Sequence, residues 1–284
     1  MSFTLRKTMD APHRARVTPA SIIAVASGKG GVGKTFMAIT LASAFAKAGK
    51  RTLLVDGDLG LANVDVQLGI APETDLAAVI AGWVELDDAV TPVDGGAGGG
   101  GFDVLPGRSG SGALAELPTE EVARLAAGLS ALALQYDQVV LDLGAGIESN
   151  TMRMARAADK AAMVITDEPT SMTDAYAFIK VLRGYAPKVE PVTIINQAET
   201  RAAGQRTHEA IARACETFLG FRPRLAGIVM RDDKVREAIR RQKTLISTEP
   251  TAQPIQDALA IAQGLLGERP AATSGSAAGI QPAA

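Results

Sequence analysis

Thiols and imidazoles are scarce in this chain of 284 residues. It contains one cysteine, Cys215, and two histidines, His13 and His208. A single thiol excludes an intrachain disulfide framework and a cysteine-ligated cluster built within one chain. Two isolated histidines are too few to predict a zinc site. The chain is therefore expected to carry neither kind of site.

Net charge and long apolar runs are also lacking. The formal net charge is −2 at pH 7, so no global basic field is expected to draw the chain to nucleic acid or membrane. No apolar run approaches the roughly 20 residues that a membrane span requires. Residues 1–20 lack the apolar segment of a signal peptide. These absences predict a cytoplasmic protein.

Aromatic residues make up only 4% of the chain, whereas hydrophobic residues as a whole make up 47%. This balance suits an α/β core of small, closely packed side chains. Short apolar runs alternate with helical patterns, and the strand-like runs are continuously apolar rather than alternating, which indicates strands covered on both faces. The sequence predicts an α/β fold with a single doubly wound, mostly parallel sheet between two helix layers.

The domain organisation is predicted from the ends inward. Residues 1–20 are polar without a period and are expected to form a flexible arm, whereas 268–284 are low in complexity and are expected to be disordered. Residues 21–267 are expected to form one domain. Within it, the glycine-rich stretch 94–101 predicts a loop or hairpin tip, and Thr119 is the expected N-cap of the helix that follows.

The last predicted helix, about 252–266, has an apolar face without a basic face opposite. Ile255, Leu259, Ala262 and Leu266 fall on one side of it. Helices that lie in a membrane interface require both an apolar face and a basic face. This helix is therefore expected to pack against the sheet as a core helix.

The stretch SGKGGVGKT, residues 27–35, satisfies two phosphate-binding patterns at once. Gly28, Gly30 and Gly33 fit the G-x-G-x-x-G of dinucleotide-binding domains. Gly28, Gly33, Lys34 and Thr35 fit the G-x-x-x-x-G-K-[ST] of nucleoside triphosphatases. Lys34 and Thr35 favour the second, because a lysine neutralises β- and γ-phosphate charge and a threonine hydroxyl ligates Mg²⁺. The glycines let backbone N–H groups curl around phosphates without Cβ clashes.

Two further strands end in carboxylates. Asp56 and Asp58 lie two residues apart at the end of one strand, and Asp142 ends the apolar strand QVVLDLG. Ligands of parallel sheets bind at the carboxyl ends of the strands. These side chains are therefore expected near the phosphate loop.

Lys29 to Thr35 read K-G-G-x-G-K-T, the deviant Walker A motif, and over about residues 21–266 the chain resembles the MinD/ParA family of P-loop ATPases. The resemblance implies ATP and Mg²⁺ as ligands and an ATP-dependent homodimer. It implies that Lys34 serves the nucleotide of its own subunit, whereas Lys29 crosses the dimer interface to the partner's phosphates. The residues implied to contact the nucleotide in this loop are Gly28, Lys29, Gly30, Gly31, Val32, Gly33, Lys34, Thr35 and Phe36.

The same resemblance implies roles for the carboxylates. Asp58 is the expected switch residue that orients the attacking water, and with Lys29 and Lys34 it completes the predicted catalytic set. Thr35, Asp56 and Asp142 are the expected magnesium residues, with Asp56 near the ion and its waters and Asp142 acting through water.

The base side of the nucleotide is assigned by resemblance too. Asn196, at the end of TIINQ, is expected to read the adenine edge. Asp232 belongs to a second base-side loop, in which Met230 stands where relatives often have proline. Gly144 and Gly146 are expected to form a mobile second switch.

The stretch DEPTSMTDAYAFIK, residues 167–180, is similar to the E-P-T-x-x-T-D-A-Y-A segment of the FlhG/FleN branch, which controls flagellar number and placement. DGDLGLANVDVQLG and LPGRSGSGAL resemble that branch as well. The branch implies protein partners such as an FlhF-like GTPase or a transcription regulator. The N-terminal arm lacks the D-Q-A-x-x-L-R-like helix of many FlhG proteins, and the C-terminus lacks the basic amphipathic helix of MinD. Membrane association, at the inner face of the cell membrane, is therefore expected to be weak or indirect.

Related functions remain as alternatives. A DNA-segregation ATPase would use a basic face, and Arg236, Arg240 and Lys243 fall on one side of the stretch 233–245, although a solvated amphipathic helix explains them equally well. A MinD-like role in positioning cell division uses the same chemistry. An iron–sulfur carrier would need paired cysteines, a cobyrinate amidase would need a glutaminase domain, and a scaffold without hydrolysis would be expected to lose Lys34 or Asp58.

Overall fold

The computed structural model describes residues 20–97, 99–107 and 118–267, and the side chain of Thr119 lies outside the description. Eight strands in these residues form one sheet. They are β1 (Ser21–Ser27), β2 (Thr52–Gly57), β3 (Thr91–Val93), β4 (Phe102–Leu105), β5 (Gln138–Ala145), β6 (Lys160–Ile165), β7 (Glu190–Ala198) and β8 (Arg224–Met230). Their order is β3-β4-β2-β5-β1-β6-β7-β8, and all neighbours are parallel except β3 and β4. The predicted α/β fold is confirmed.

Helices follow most strands and cover the sheet on both faces. They are α1 (Lys34–Lys47), α2 (Val64–Leu68), α3 (Leu76–Ile80), α4 (Thr119–Leu132), α5 (Ser149–Ala155), α6 (Pro169–Tyr185), α7 (Arg201–Leu219), α8 (Asp233–Arg240), α9 (Leu245–Thr248) and α10 (Gln253–Gly267). Short 3-10 turns lie at Asp87–Ala89 and Ala133–Gln135.

The central strands are largely apolar on both sides because each face of the sheet meets a separate core. Successive residues of a strand point to opposite faces. In β2, Leu53 and Val55 join the cluster that contains Phe178 of α6, whereas Leu54 joins the cluster that contains Phe45 of α1. Fully burying each of these side chains contributes about 1.5–3 kcal/mol.

One of these cores is built around α1, which is buried from Thr35 to Ala46 between the sheet and α10. On α10, Ile255 and Ala262 are buried, and Leu259 and Leu266 are partly buried against the same clusters. The prediction of a final core helix is confirmed. No helix in the described ranges is long and apolar enough to cross a bilayer.

Residues 94–97 and 99–101 of the glycine-rich stretch belong to the loop of a hairpin, because β3 pairs antiparallel with β4. The backbone φ values of Gly95, Gly96 and Gly100 are 92°, 69° and 97°, which residues other than glycine rarely adopt. The hairpin-tip alternative is thus the correct one, although the short strand β3 and helix α2 were not predicted.

The predicted N-cap of α4 is wrong by one residue. Thr119 is the first residue of the helix, and Pro118 precedes it with φ −57° and ψ 147°. The carbonyl of Pro118 accepts the N–H groups of Glu121 and Val122, so the hydrogen-bond ladder begins one residue earlier than the side-chain signal suggests. The predicted arm up to residue 19, the tail 268–284 and most of LPGRSGSGAL lie outside the described residues.

Candidate functional site

The loop between β1 and α1 surrounds open space at the carboxyl edge of the sheet. Gly31 and Gly33 adopt φ values of 80° and 90°, which curl the backbone. A Cβ added to Gly30 or Gly31 would meet no heavy atom within 4 Å. The space beside these two residues is therefore free for a ligand to approach the main chain, and the amino end of α1 supplies a favourable dipole for an anion.

Gly28 and Gly33 are constrained by packing within the protein. A Cβ on Gly28 would lie 2.2 Å from the carbonyl carbon of Asp174, because α6 crosses directly over the loop. A Cβ on Gly33 would lie 2.4 Å from Nδ2 of Asn196. The first and last glycines of the motif thus allow α6 and Asn196 to pack closely against the loop.

Lys34 and Thr35 begin α1 beside Asp142 of β5. The ammonium of Lys34 lies 3.7 Å from Oδ1 of Asp142. Both carboxylate oxygens of Asp142 are buried and have no hydrogen-bond partner within the described part of the chain. Burial raises the pKa of Asp142 above its ordinary value, and Lys34 and Thr35 oppose that shift. Lys34 offsets part of the cost of burying this carboxylate. The two carboxylate oxygens and the adjacent Thr35 hydroxyl are oxygen ligands of the kind that a magnesium ion prefers.

Asp56 lies behind this position, in register with Asp142 across β2 and β5. Its Oδ2 accepts the N–H groups of Asn63 and Val64, each at 3.0 Å, and its Oδ1 accepts the N–H of Asp58 at 3.3 Å. Burial, followed by the charge of Asp142, raises the pKa of Asp56 to about 7, whereas the backbone donors lower it. Asp56 therefore holds the loop after β2 in place and adds negative charge behind Asp142.

Asp58 is more exposed than Asp56 and faces the cavity beside the phosphate loop. Its Oδ1 accepts the N–H of Leu61 at 3.0 Å. A Cβ on Gly144 would come within 3.3 Å of that oxygen and of the Thr151 hydroxyl. Gly144 belongs to β5 itself, whereas Gly146, with φ 89°, lies in the turn after it. The predicted second switch therefore begins inside the strand, and its first glycine lets Asp58 sit close.

On the base side, Asn196 is buried, and its Nδ2 donates to the carbonyl of Val32 at 2.8 Å. This bond ties the end of β7 to the phosphate loop. Asp232 caps α8, where its Oδ1 accepts the N–H of Lys234 at 2.9 Å. Both residues line one cavity of about 300 Å³ together with Phe36. The predicted base-side residues are thus brought together, with the Asn196 amide nitrogen already engaged by the loop.

Lys29 lines the base-side cavity at its rim, together with Glu168. Its ammonium lies 2.5 Å from Oε2 of Glu168 and 3.1 Å from the Thr170 hydroxyl, at the start of α6. The Lys29 and Glu168 side chains are 39% and 59% exposed. An ion pair this exposed contributes little, about 0–1 kcal/mol, so Lys29 can leave it at small cost.

Two connected cavities follow the loop. The cavity of about 680 Å³ is lined by Lys34, Thr35, Asp58 and Gly144, and the base-side cavity lies next to it. Gly30, Gly31 and Gly33 line both, so a single molecule with a phosphate chain and a flat ring can extend across the loop.

Sequence reasoning did not identify several residues that shape this site. Gln197 lines the base-side cavity with φ 58°, an uncommon conformation for a side chain other than glycine. Buried Asp257 of α10 accepts the N–H of Met230 at 2.9 Å and pairs with Arg201, which holds the strand end before Asp232. The only sequence signal for Asp257 was its position as an ionisable residue on the apolar face of a predicted helix. The sequence carried no signal for Gln197.

The basic stretch considered for DNA is not one continuous helix. Arg236 and Arg240 are exposed on α8, but α8 ends at Arg240 and Gln242 takes φ 54°, so Lys243 follows in a turn. The prediction of a single helical face carrying all three basic residues is therefore wrong.

Comparison with known proteins gives a consistent set of matches. A sequence model of the CobQ/CobB/MinD/ParA nucleotide binding domain matches residues 23–246. The antiactivator FleN of Pseudomonas aeruginosa is 36% identical over 245 residues, which cover 86% of each chain. The flagellum site-determining protein YlxH of Helicobacter pylori is 30% identical over 233 residues, which cover 80% of this chain and 76% of YlxH. Among solved structures, the MinC:MinD cell division protein complex of Aquifex aeolicus matches with a TM-score of 0.73 and 26% identity, over 89% of this chain and 98% of that one.

Proposed function

The chain belongs to the CobQ/CobB/MinD/ParA nucleotide-binding family, and from this premise we propose that it is a magnesium-dependent ATPase whose ATP-driven dimerisation regulates the number or placement of flagella. The similarity to FleN and YlxH, whose names refer to an antiactivator and to the siting of the flagellum, supports the cellular role. The observation that carries the chemistry is the buried Asp142 carboxylate, which has no hydrogen-bond partner in the described residues and lies 3.7 Å from the Lys34 ammonium, next to the cavity of about 680 Å³.

The nucleotide occupies the two joined cavities in this proposal. Gly30 to Thr35 surround the phosphates, Phe36 and Val32 support the loop, and Asn196 with Asp232 flanks the base. Magnesium, when bound, would offset phosphate charge; the Thr35 hydroxyl and Asp142 would hold it, with Asp56 behind them. Lys34 provides the fixed positive charge next to the β- and γ-phosphates.

Asp58 orients the attacking water in the proposed hydrolysis. Its carboxylate is held by Leu61 at the cavity wall and faces the same space as Lys34. Asp58→Ala should bind ATP and dimerise but hydrolyse it at least about 100-fold more slowly, because positioned general-base groups contribute that much or more. Single-turnover hydrolysis measures the step, and light scattering follows the dimer. Unchanged hydrolysis would move the role elsewhere, with Asp56 the first residue to examine.

Lys29 acts on the partner's nucleotide in this proposal. Its partly exposed side chain and its exposed ion pair with Glu168 leave it available to a second subunit. Lys29→Ala should keep much of the ATP binding and lose the ATP-dependent dimer, whereas Lys34→Ala should lose binding. Exposed Lys50, outside both cavities, gives a matched control as Lys50→Ala. A Lys29→Ala protein that dimerises and hydrolyses ATP normally would refute the contact in trans.

The cellular role is tested by deleting the gene and imaging flagella and nucleoids. Extra, missing or misplaced flagella with normal DNA partitioning would support the proposal. Anucleate cells with normal flagella would favour a DNA-segregation ATPase, whose candidate side chains, Arg236, Arg240 and Lys243, are all exposed. Protein partners, an FlhF-like GTPase or a transcription regulator, would bind in a nucleotide-dependent way near α6. The chain is proposed to act in the cytoplasm, with membrane association weak or dependent on a partner.

A further inference from the structure

A second concave surface lies away from the nucleotide cavities, between α4, α5 and the end of α6. We call it the α4–α5 groove; its volume is about 420 Å³. Its floor is formed by small residues on the outer side of α4, including Ala123, Ala126 and Ala127. Small side chains let the backbone of another element approach closely. Tyr185, 42% exposed, stands at one end.

The charged groups of the groove are cationic. Arg153 of α5 and Arg156, the residue just after α5, line it, and no described carboxylate does, although the chain as a whole carries a net charge of −2. Arg153 donates from Nη1 to the Ser149 hydroxyl and to Oδ1 of Asn150, which fixes its direction. Arg156 is exposed. A concave surface with an apolar floor and positive edge in a chain of opposite net charge favours an apolar ligand with carboxylates along one side.

Segments of the chain outside the described residues do not match that charge. Residues 1–19 contain four basic side chains, Arg6, Lys7, Arg14 and Arg16, against one carboxylate, Asp10. Residues 108–117 contain one residue of each sign, as do 268–284. These three segments therefore do not supply an acidic occupant.

From the shape and charge of this surface we infer that the α4–α5 groove docks an amphipathic helix of a partner protein, with its apolar stripe on the α4 alanines and its carboxylates on Arg153 and Arg156. Such helices bind grooves through residues spaced i, i+3, i+4 and i+7. The inference concerns a face separate from the nucleotide site and holds whether or not the chain is an ATPase.

The test uses a fluorescent stapled peptide of about 15 residues, long enough to stay helical, with a leucine and alanine stripe flanked by glutamates. Binding to the full chain without nucleotide is measured by fluorescence anisotropy. Saturable binding is expected, and Arg153→Glu/Arg156→Glu should weaken it by roughly tenfold or more. Ala127→Trp, which fills the groove without changing charge, should weaken it comparably. Amide exchange should slow in α4 and α5 on binding.

The matched control for charge is Arg206→Glu/Lys188→Glu, because both residues are exposed and line no part of the groove. It should bind the peptide like the unmodified chain. A peptide of the same composition with its stripe scrambled, and one with lysine for glutamate, should not bind. No saturable binding, equal binding by the scrambled or lysine peptide, or affinity unchanged in the groove variants would each overturn the inference. Circular dichroism of every variant confirms that it is folded.

Discussion

Gly28→Ala provides the sharpest test of how the phosphate loop is held. The added methyl carbon would lie 2.2 Å from the carbonyl carbon of Asp174 and 2.6 Å from its Cβ. Real Cβ atoms essentially never come this close to backbone, and Asp174 lies inside the regular helix α6, so the helix must shift. Overpacking of this kind typically costs about 1–3 kcal/mol.

The matched variant is Gly30→Ala, two residues along the same loop. Its Cβ would meet no heavy atom within 4 Å, and its φ is not in the left-handed region. The folded protein therefore has room for the added methyl group, but the methyl group would block a ligand that approaches the backbone of residue 30. Gly28→Ala should lower the melting temperature by roughly 2–12 °C, and Gly30→Ala should leave it nearly unchanged while weakening ATP binding.

Thermal unfolding without nucleotide and titration with ATP separate the two effects. If Gly28→Ala melted at the temperature of the unmodified chain, α6 would not press on the loop as described. If Gly30→Ala bound ATP as tightly as the unmodified chain, the space beside Gly30 would not be the path of the phosphates.

Three further outcomes follow from buried or exposed charges. The pKa of Asp56 is raised from 3.8 to about 7, so the folded chain holds this proton more tightly than the unfolded chain, and the free energy of unfolding falls as the pH rises from about 4 to 7. Asp56→Asn should flatten this pH dependence when unfolding is measured with denaturant in the absence of magnesium. An unchanged pH dependence would contradict the raised pKa of Asp56. Asp257→Ala should cost about 1–3 kcal/mol because the N–H of Met230 loses its partner, and Asp257→Asn, which keeps an acceptor, should cost less by the same thermal melt. Glu168→Gln should leave the melting temperature unchanged and, by freeing Lys29, strengthen ATP-dependent dimerisation in light scattering; weaker dimerisation would show that Glu168 helps Lys29 rather than restraining it.

The fold was largely predictable because its strands are buried on both faces. Continuous apolar runs, as in β2 and β5, leave no polar face for solvent, so both faces of the strand must be covered. The pattern alone therefore indicates a parallel sheet between helices. The elements that were missed are short. β3 has three residues, one of them Pro92, and α2 has five, so neither is long enough to show a period. Their structure depends on pairing with β4 and on the backbone donors that Asp56 engages.

The location of a site residue was predictable where the backbone fixes it. It was less predictable where a long side chain can contact several alternative partners. Lys34 and Thr35 must lie at the start of α1 once the glycine loop forms, and Asp142 must end a strand beside them. Lys29 has no such constraint, and its direction is set by Glu168, which is 139 positions away in the sequence. Spacing within a motif cannot specify such a partner, because the side chain is long and exposed and the competing contacts are nearly equal in free energy. Gly28 shows the same limit: the motif pattern records that glycine is needed, whereas the packing of α6 against Gly28 is visible only in the folded structure.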